Sequence, residues 1–148
     1  MNFALSPEQV TLVRRSHALL APQAQTTALS FYDTLFRTDP ALRGLFKGDL
    51  GLQGARLMTV LGMAVACLED LPSLAPVLQQ LGARHAAYGV KAVDYGVFGA
   101  AILETLASVL GAHFDDDTQA AWAALLGWIS RQMLSGAVVE LVAAPALA

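Results

Sequence analysis

Cysteine and charge are both scarce in this 148-residue chain. Its one cysteine, Cys67, excludes an intramolecular disulfide and a zinc site made of several cysteines. Only nine Lys and Arg residues occur, never clustered, so the chain lacks the basic surface that binds nucleic acid or anionic lipid. Charged residues make up 14% of the sequence and hydrophobic residues 55%. This balance excludes a disordered protein and provides ample material for an apolar core.

Long hydrophobic runs are absent as well. The longest nearly unbroken one, from Leu57 to Leu68, has about a dozen residues, whereas a spanning helix needs about 20. The N-terminal sequence MNFALSPE has no basic segment followed by an apolar one, so it does not resemble a secretion signal. We therefore expect no membrane span and a cytoplasmic location.

Helix signals follow one another along the chain, without strand alternation, an internal repeat or a linker. Ser6, Pro7 and Gln9 predict the capped start of a first helix. Asp94 is expected to cap a later helix, and Gly89 is expected to follow the end of another. Further helices are predicted over residues 22–37, 41–46, 50–69, 76–88, 94–110 and from the acidic run at 115–117 onward. The prediction is one all-α domain over residues 1–148, with its core at about 5–140, roughly six to eight helices and a short C-terminal tail.

Three histidines are the only candidates for imidazole chemistry. His17 on the first helix is most simply a structural histidine, and His113 beside the acidic run is expected to be solvated. His85 is the only polar residue on the predicted inner stripe of its helix. The other members of that stripe are Leu74, Leu78, Leu81 and Tyr88. Taken alone, such a histidine is more often a satisfied core residue than a ligand.

Two other polar residues are predicted to face inward. Gln53 shares a helix face with Leu57, and Tyr32 recurs at helical spacing with Leu35. Each has an ordinary interpretation, because a glutamine in a first helical turn is usually solvated and an aromatic at that spacing is usually core. Separately, neither residue indicates a function.

Together and in order, these residues resemble the globin family. Phe31-Tyr32-Asp33-Thr34-Leu35-Phe36, Asp39-Pro40 and Leu45-Phe46 are similar to the globin B helix, the C helix and the phenylalanine that packs against haem. Leu81-Gly82-Ala83-Arg84-His85-Ala86-Ala87-Tyr88-Gly89-Val90 is similar to the proximal histidine region, and Tyr95 to the tyrosine at the start of helix G. Ala121-Trp122 and Gly127 match helix H. The resemblance covers about residues 5–135 and is strongest to bacterial single-domain globins and flavohaemoglobin haem domains.

The resemblance implies a globin fold, a three-over-three helical sandwich around one haem b. His85 would bind the iron through Nε2, with its other nitrogen donating a hydrogen bond to the Leu81 carbonyl. The sequence has no Cys-x-x-Cys-His, so the haem would be held non-covalently. The remaining haem contacts would come from Phe46, Leu57, Leu81, Val90, Tyr95 and Phe98.

Tyr32 and Gln53 would then be the polar side chains aimed at the gas ligand. A phenol O–H and an amide N–H that donate to a partly negative oxygen ligand contribute roughly 1.5–3 kcal/mol each in a dry pocket. Carbon monoxide gains less from the same donors. Because an amide is a very poor iron ligand, we expect five-coordinate ferrous iron when no gas is bound.

One departure from the flavohaemoglobin pattern concerns the histidine's support. That pattern places a helix-H glutamate beside the proximal histidine and the helix-G tyrosine, but the aligned residue here is Ala137, and Glu140 lies one turn further on. Without this carboxylate the imidazole of His85 is expected to stay neutral. A neutral imidazole favours reversible gas binding over cleavage of the oxygen–oxygen bond.

Three functions remain open from the sequence. The first is reversible oxygen binding for storage, transport or scavenging, with carbon monoxide and nitric oxide as further ligands. The second is nitric oxide dioxygenation, which would need a separate reductase because the 148 residues contain no Gly-x-Gly-x-x-Gly. The third, least favoured, is a haem-based gas sensor or a haem-free signalling module.

Overall fold

Helices account for nearly all of the residues that the structure describes. The computed structural model describes the backbone of residues 3–143 and the side chains of residues 3–137. Over that range the chain forms six α-helices and no strand. They are α1 Pro7–Leu20, α2 Ala24–Thr38, α3 Leu50–Ala66, α4 Ala75–Ala87, α5 Ala92–Leu110 and α6 Asp116–Ala143. Short 3₁₀ helices occur at Ala21–Gln23, Pro40–Leu45, Leu71–Leu74 and Gly111–His113. The all-α prediction is confirmed.

Most helix ends follow the predicted local chemistry. The Ser6 hydroxyl accepts from the Gln9 N–H, and the Gln9 side chain accepts from the Ser6 N–H, which completes the expected capping box. Gly89 has a φ of 102°, a conformation that glycine adopts without strain after a helix. Asp94, however, is not the N-cap residue of α5 but the third residue of its capping box. The helix starts earlier, and the Asp94 carboxylate accepts from the Lys91 N–H at 2.9 Å from within the first turn.

Helix α6 is the centre of the packing, because α1, α4 and α5 all lie against it. Trp122 of α6 is fully buried, and its Nε1 donates to the Ser16 hydroxyl of α1 at 2.7 Å. Ser16 in turn donates to carbonyls of its own helix. Helix α2 packs instead on α3 and α5, and its inward residues belong to a second cluster of aromatic and aliphatic side chains.

Helix α5 and the turn after it, Ala92–His113, are long and apolar enough to cross a membrane by length and composition. Asp94 and Glu104 interrupt this stretch, so a search for unbroken apolar runs misses it. The helix packs on α2 and α6 and buries Tyr95, Ala101 and Leu106. A core helix of a globular protein has the same composition, so α5 is weak evidence for a membrane span.

The Ser16–Trp122 bond gives a stability prediction. Ser16→Ala leaves the buried Trp122 N–H without its acceptor, so we expect the free energy of unfolding in urea to fall by about 1–3 kcal/mol. Trp122→Phe in the Ser16→Ala background removes the stranded donor. If the bond stabilises the fold, the losses of unfolding free energy caused by the two substitutions will not add in the double variant. Full additivity in this double-mutant cycle would contradict the role of the bond.

Candidate functional site

Helices α3 and α4 do not pack closely on each other, and the space between them is the candidate cleft. Helix α4 packs closely on α6 and α3 on α2, whereas α3 and α4 are not among the closely packed pairs. The apolar residues predicted to line a cofactor pocket are largely half-buried, although they belong to the two core clusters or pack against them. They are Phe46, Leu57, Leu81, Val90 and Phe98. Half-buried apolar side chains around a cleft are suited to a flat apolar ligand.

His85 lies on α4 near the end of the helix and is partly buried. Its Nδ1 is 2.8 Å from the Leu81 carbonyl oxygen, the contact that the sequence predicted. Gly89, just beyond, comes close to the segment before Phe46, since a Cβ there would lie 3.5 Å from Cδ2 of Leu45. The end of α4 and Phe46 therefore border the same part of the cleft.

The Leu81 contact determines the tautomer of His85. A carbonyl oxygen only accepts, so the bonded Nδ1 must carry the proton. Burial lowers the pKa of His85, and this effect is larger than the opposing effect of the Leu81 hydrogen bond. The net lowering of the pKa keeps the ring neutral near pH 7. In a neutral ring protonated at Nδ1, Nε2 holds an available lone pair, which is what a metal ligand requires.

Tyr32 is buried, only 4% exposed, within a group of aromatic rings. Its ring centroid lies 5.2 Å from Phe31, 5.9 Å from Phe36 and 5.3 Å from Phe46. Phe46 continues to Phe98 at 6.2 Å. Burial raises the pKa of Tyr32 to about 12, so the phenol keeps its proton and remains a donor at ordinary pH.

Gly54 is a site residue that the sequence reasoning missed. A Cβ at this position would lie 2.7 Å from Ala28 Cβ and 3.4 Å from Tyr32 Cε2, so only glycine lets α3 approach α2 this closely. Its signal in the sequence was weak, because Gly51 and Gly62 lie in the same apolar helix. The close crossing places the start of α3, including Gln53, beside the helix that carries Tyr32.

Gln53 lies at the predicted place on α3 and is half-buried, but its amide is already engaged. Its Nε2 donates to the Lys47 carbonyl at 2.8 Å, in the loop before α3. Tyr32 therefore lies among packed aromatic rings. The side chain of Gln53 is instead bonded to the loop before α3. One N–H of the amide remains for another acceptor.

The surroundings of Tyr95 bear on the helix-H carboxylate that the resemblance to flavohaemoglobins implies. Tyr95 lies 6.2 Å from Phe98, and its hydroxyl is buried with no hydrogen-bond partner in the part of the chain that the structure describes. Ala137 is buried and offers no carboxylate. The side chain of Glu140 lies outside the described residues. An orphaned tyrosine hydroxyl is consistent with a missing carboxylate partner.

Tyr88 does not belong to the inner stripe of α4, so that part of the prediction is wrong. It is 68% exposed, because α4 ends at Ala87 and the chain has already turned away. No group of three or more His, Cys, Asp or Glu side chains occurs among the residues described. A metal held by His85 would therefore need its other ligands from a non-protein group.

Comparison with known proteins settles the family. The family model described as Globin matches residues 29–133, which is most of the chain. The chain belongs to the globin family. The structure of a bacterial globin from Campylobacter jejuni superposes with a TM-score of 0.79 at 22% identity, covering 89% of this globin and 96% of that chain. This likeness supports the globin fold that the sequence predicted.

Curated relatives of this globin include flavohemoproteins and an animal globin chain. The Flavohemoprotein of Bordetella parapertussis is 31% identical over 96% of this chain, and that of Bacillus anthracis 28% over 88%. This globin spans only about a third of their length, 36% and 33% respectively. The Globin-2 B chain of Anadara inaequivalvis is 28% identical and is covered over 91% of its length.

The residues of this globin fit haem, the group that the family implies. His85 could supply one nitrogen lone pair, and a porphyrin would supply the four nitrogens that the described side chains do not. The cleft beside it is bordered by apolar side chains that are only partly buried. Both the donor and the lining suit an iron macrocycle.

The buried phenol of Tyr32 gives a pH prediction for the haem-free protein. Because an unfolded tyrosine ionises near pH 10, the raised pKa of Tyr32 makes the folded state lose stability as the pH rises from about 10 towards 12. Tyr32→Phe should make this fall in the free energy of unfolding less steep. The matched control is Tyr88→Phe at an exposed site. The same steepness in the wild type and Tyr32→Phe would mean that Tyr32 is not buried as described.

Proposed function

We propose that this globin binds one haem b non-covalently, with His85 as the iron ligand, and binds oxygen reversibly for storage, transport or scavenging. When bound, haem supplies an iron with one coordination position open to a small gas. Carbon monoxide and nitric oxide are the other gases expected at that position. The observation that carries the proposal is the Nδ1–Leu81 hydrogen bond, which leaves Nε2 of a neutral imidazole free.

Each lining residue has a distinct task in this proposal. Leu57 on α3 covers the gas side, and Phe46 and Phe98 pack on the macrocycle. Leu81, Val90 and Tyr95 would contact it on the histidine side. Because these contacts are apolar, they keep water from the iron and strengthen any hydrogen bond made inside the pocket.

Tyr32 and Gln53 are proposed to donate hydrogen bonds to the gas. Tyr32 is the stronger candidate because its phenol is buried and fully protonated. Gln53 can contribute through its second amide N–H or by leaving Lys47. A gas that carries partial negative charge gains more from both donors than a neutral one.

His85→Gly tests the iron ligand. We expect haem titrated into the variant to bind much more weakly, and added imidazole to restore the optical spectrum by filling the space left by the side chain. Reduced wild-type protein without gas should give a five-coordinate spectrum. His113→Ala, at an exposed histidine, is the matched control. Unchanged haem affinity and axial coordination in His85→Gly would overturn the proposal.

Stopped-flow oxygen release tests the distal donors. Because one such hydrogen bond contributes roughly 1.5–3 kcal/mol, we expect Tyr32→Phe to speed release by about tenfold or more. Gln53→Leu should speed it several-fold, since its amide is half-buried and shared with Lys47. Tyr88→Phe removes an exposed hydroxyl and should leave the rate unchanged. If neither distal variant releases oxygen faster, this assignment of donors is wrong.

Nitric oxide dioxygenation is the second candidate, and the similarity to flavohemoproteins favours it. The same donors would serve this reaction, but each turnover would need an electron from a reductase beyond the 148 residues. Sustained nitrate formation with an added reductase distinguishes this role from reversible binding. Gas sensing remains a third and weaker alternative.

The missing helix-H carboxylate favours reversible binding. Ala137 occupies the aligned position, and His85 bonds to a neutral carbonyl. Such an imidazole donates less electron density to iron than one paired with a carboxylate. The single-domain boundaries at 1–148 and the cytoplasmic location stay predictions.

A further inference from the structure

Helices α4 and α6 touch through their backbones at two glycines. A Cβ on Gly82 of α4 would fall within the backbone of Met133 on α6. A Cβ on Gly136 of α6 would fall within the backbone of Gln79 on α4. Each helix therefore presents a glycine to the backbone of the other, and neither position has room for a methyl group.

These contacts form a single crossing point. Gly82 follows Gln79 by one helical turn, and Gly136 follows Met133 by one turn, so the same turn of each helix meets the other. Next to this point, Gln79 Nε2 donates to Gln132 Oε1 at 3.2 Å. Backbone atoms in direct contact cannot be compressed, so the spacing of α4 from α6 is fixed here.

His85 stands one turn beyond Gly82 on the same helix, and the carbonyl that holds its Nδ1 belongs to the neighbouring Leu81. Any shift of this turn of α4 therefore moves both the imidazole and its acceptor. We propose that Gly82 and Gly136 are positioning residues for His85, which set the place of its Nε2 in the cleft by fixing how closely α4 lies on α6. The proposal rests on His85 being the iron ligand.

Resonance Raman spectroscopy of the reduced, haem-loaded protein measures the iron–histidine stretching band and so reports the placement of His85 directly. We expect Gly82→Ala and Gly136→Ala each to shift this band, and in the same direction, because both push α4 away from α6. Gly136 lies on α6, so a shift caused there cannot come from a changed helix propensity of α4.

Gly96→Ala on α5 is the matched control. A Cβ at Gly96 meets nothing within 4 Å, so the variant should keep the wild-type band and should not unfold more easily. In the haem-free protein, the two test variants should melt at a lower temperature than Gly96→Ala. This second measurement does not depend on iron.

The outcomes separate the two proposals. A wild-type protein that lacks an iron–histidine band refutes His85 as ligand. A band present in wild type and unmoved in both folded glycine variants refutes the positioning role and leaves the ligand assignment intact. If neither glycine variant folds, Gln132→Ala decides, because it removes the Gln79 bond and adds no atoms. A shifted or broadened band in that variant supports positioning through the α4–α6 contact, and an unchanged band refutes it.

Discussion

The hydrogen bond between His85 Nδ1 and the Leu81 carbonyl is the interaction on which the site depends. It is local, formed within one turn of α4, yet it determines which nitrogen keeps the proton and which offers a lone pair. Burial supports the same state by disfavouring the charged ring. A neutral, oriented imidazole at the edge of an apolar cleft is the minimum that iron binding by one protein ligand requires.

The rest of the fold determines where that imidazole stands. Helix α4 packs on α6 at a crossing where neither glycine has room for a side chain. It does not pack closely on α3. Helix α3 is drawn in the other direction, onto α2, at Gly54. Each helix thus makes its close contacts with another neighbour, and the two helices do not pack closely on each other. The cleft follows from where the small residues lie as much as from the large ones that border it.

On the histidine side, this globin departs from the pattern that the resemblance to flavohaemoglobins implies. An alanine stands where the flavohaemoglobin pattern has a glutamate, and the tyrosine that would share that carboxylate has a buried hydroxyl with no partner among the residues described. The gas side keeps a buried phenol and a nearby amide. Under the proposed function, this combination would retain donors for a polar gas and give less support for activating it.

The sequence by itself determined the helices, most of their ends and His85 as the candidate ligand. Capping, helical periodicity and the Leu81 bond act within one or two turns, so local residues suffice to predict them. Only the tertiary structure decided the exposure of Tyr88, the engagement of Gln53 with Lys47 and the roles of Gly54, Gly82 and Gly136. Each of these depends on which segments of the chain pack against each other. Glycine has no side chain, so the sequence gives no pattern that would predict its contact with a distant segment.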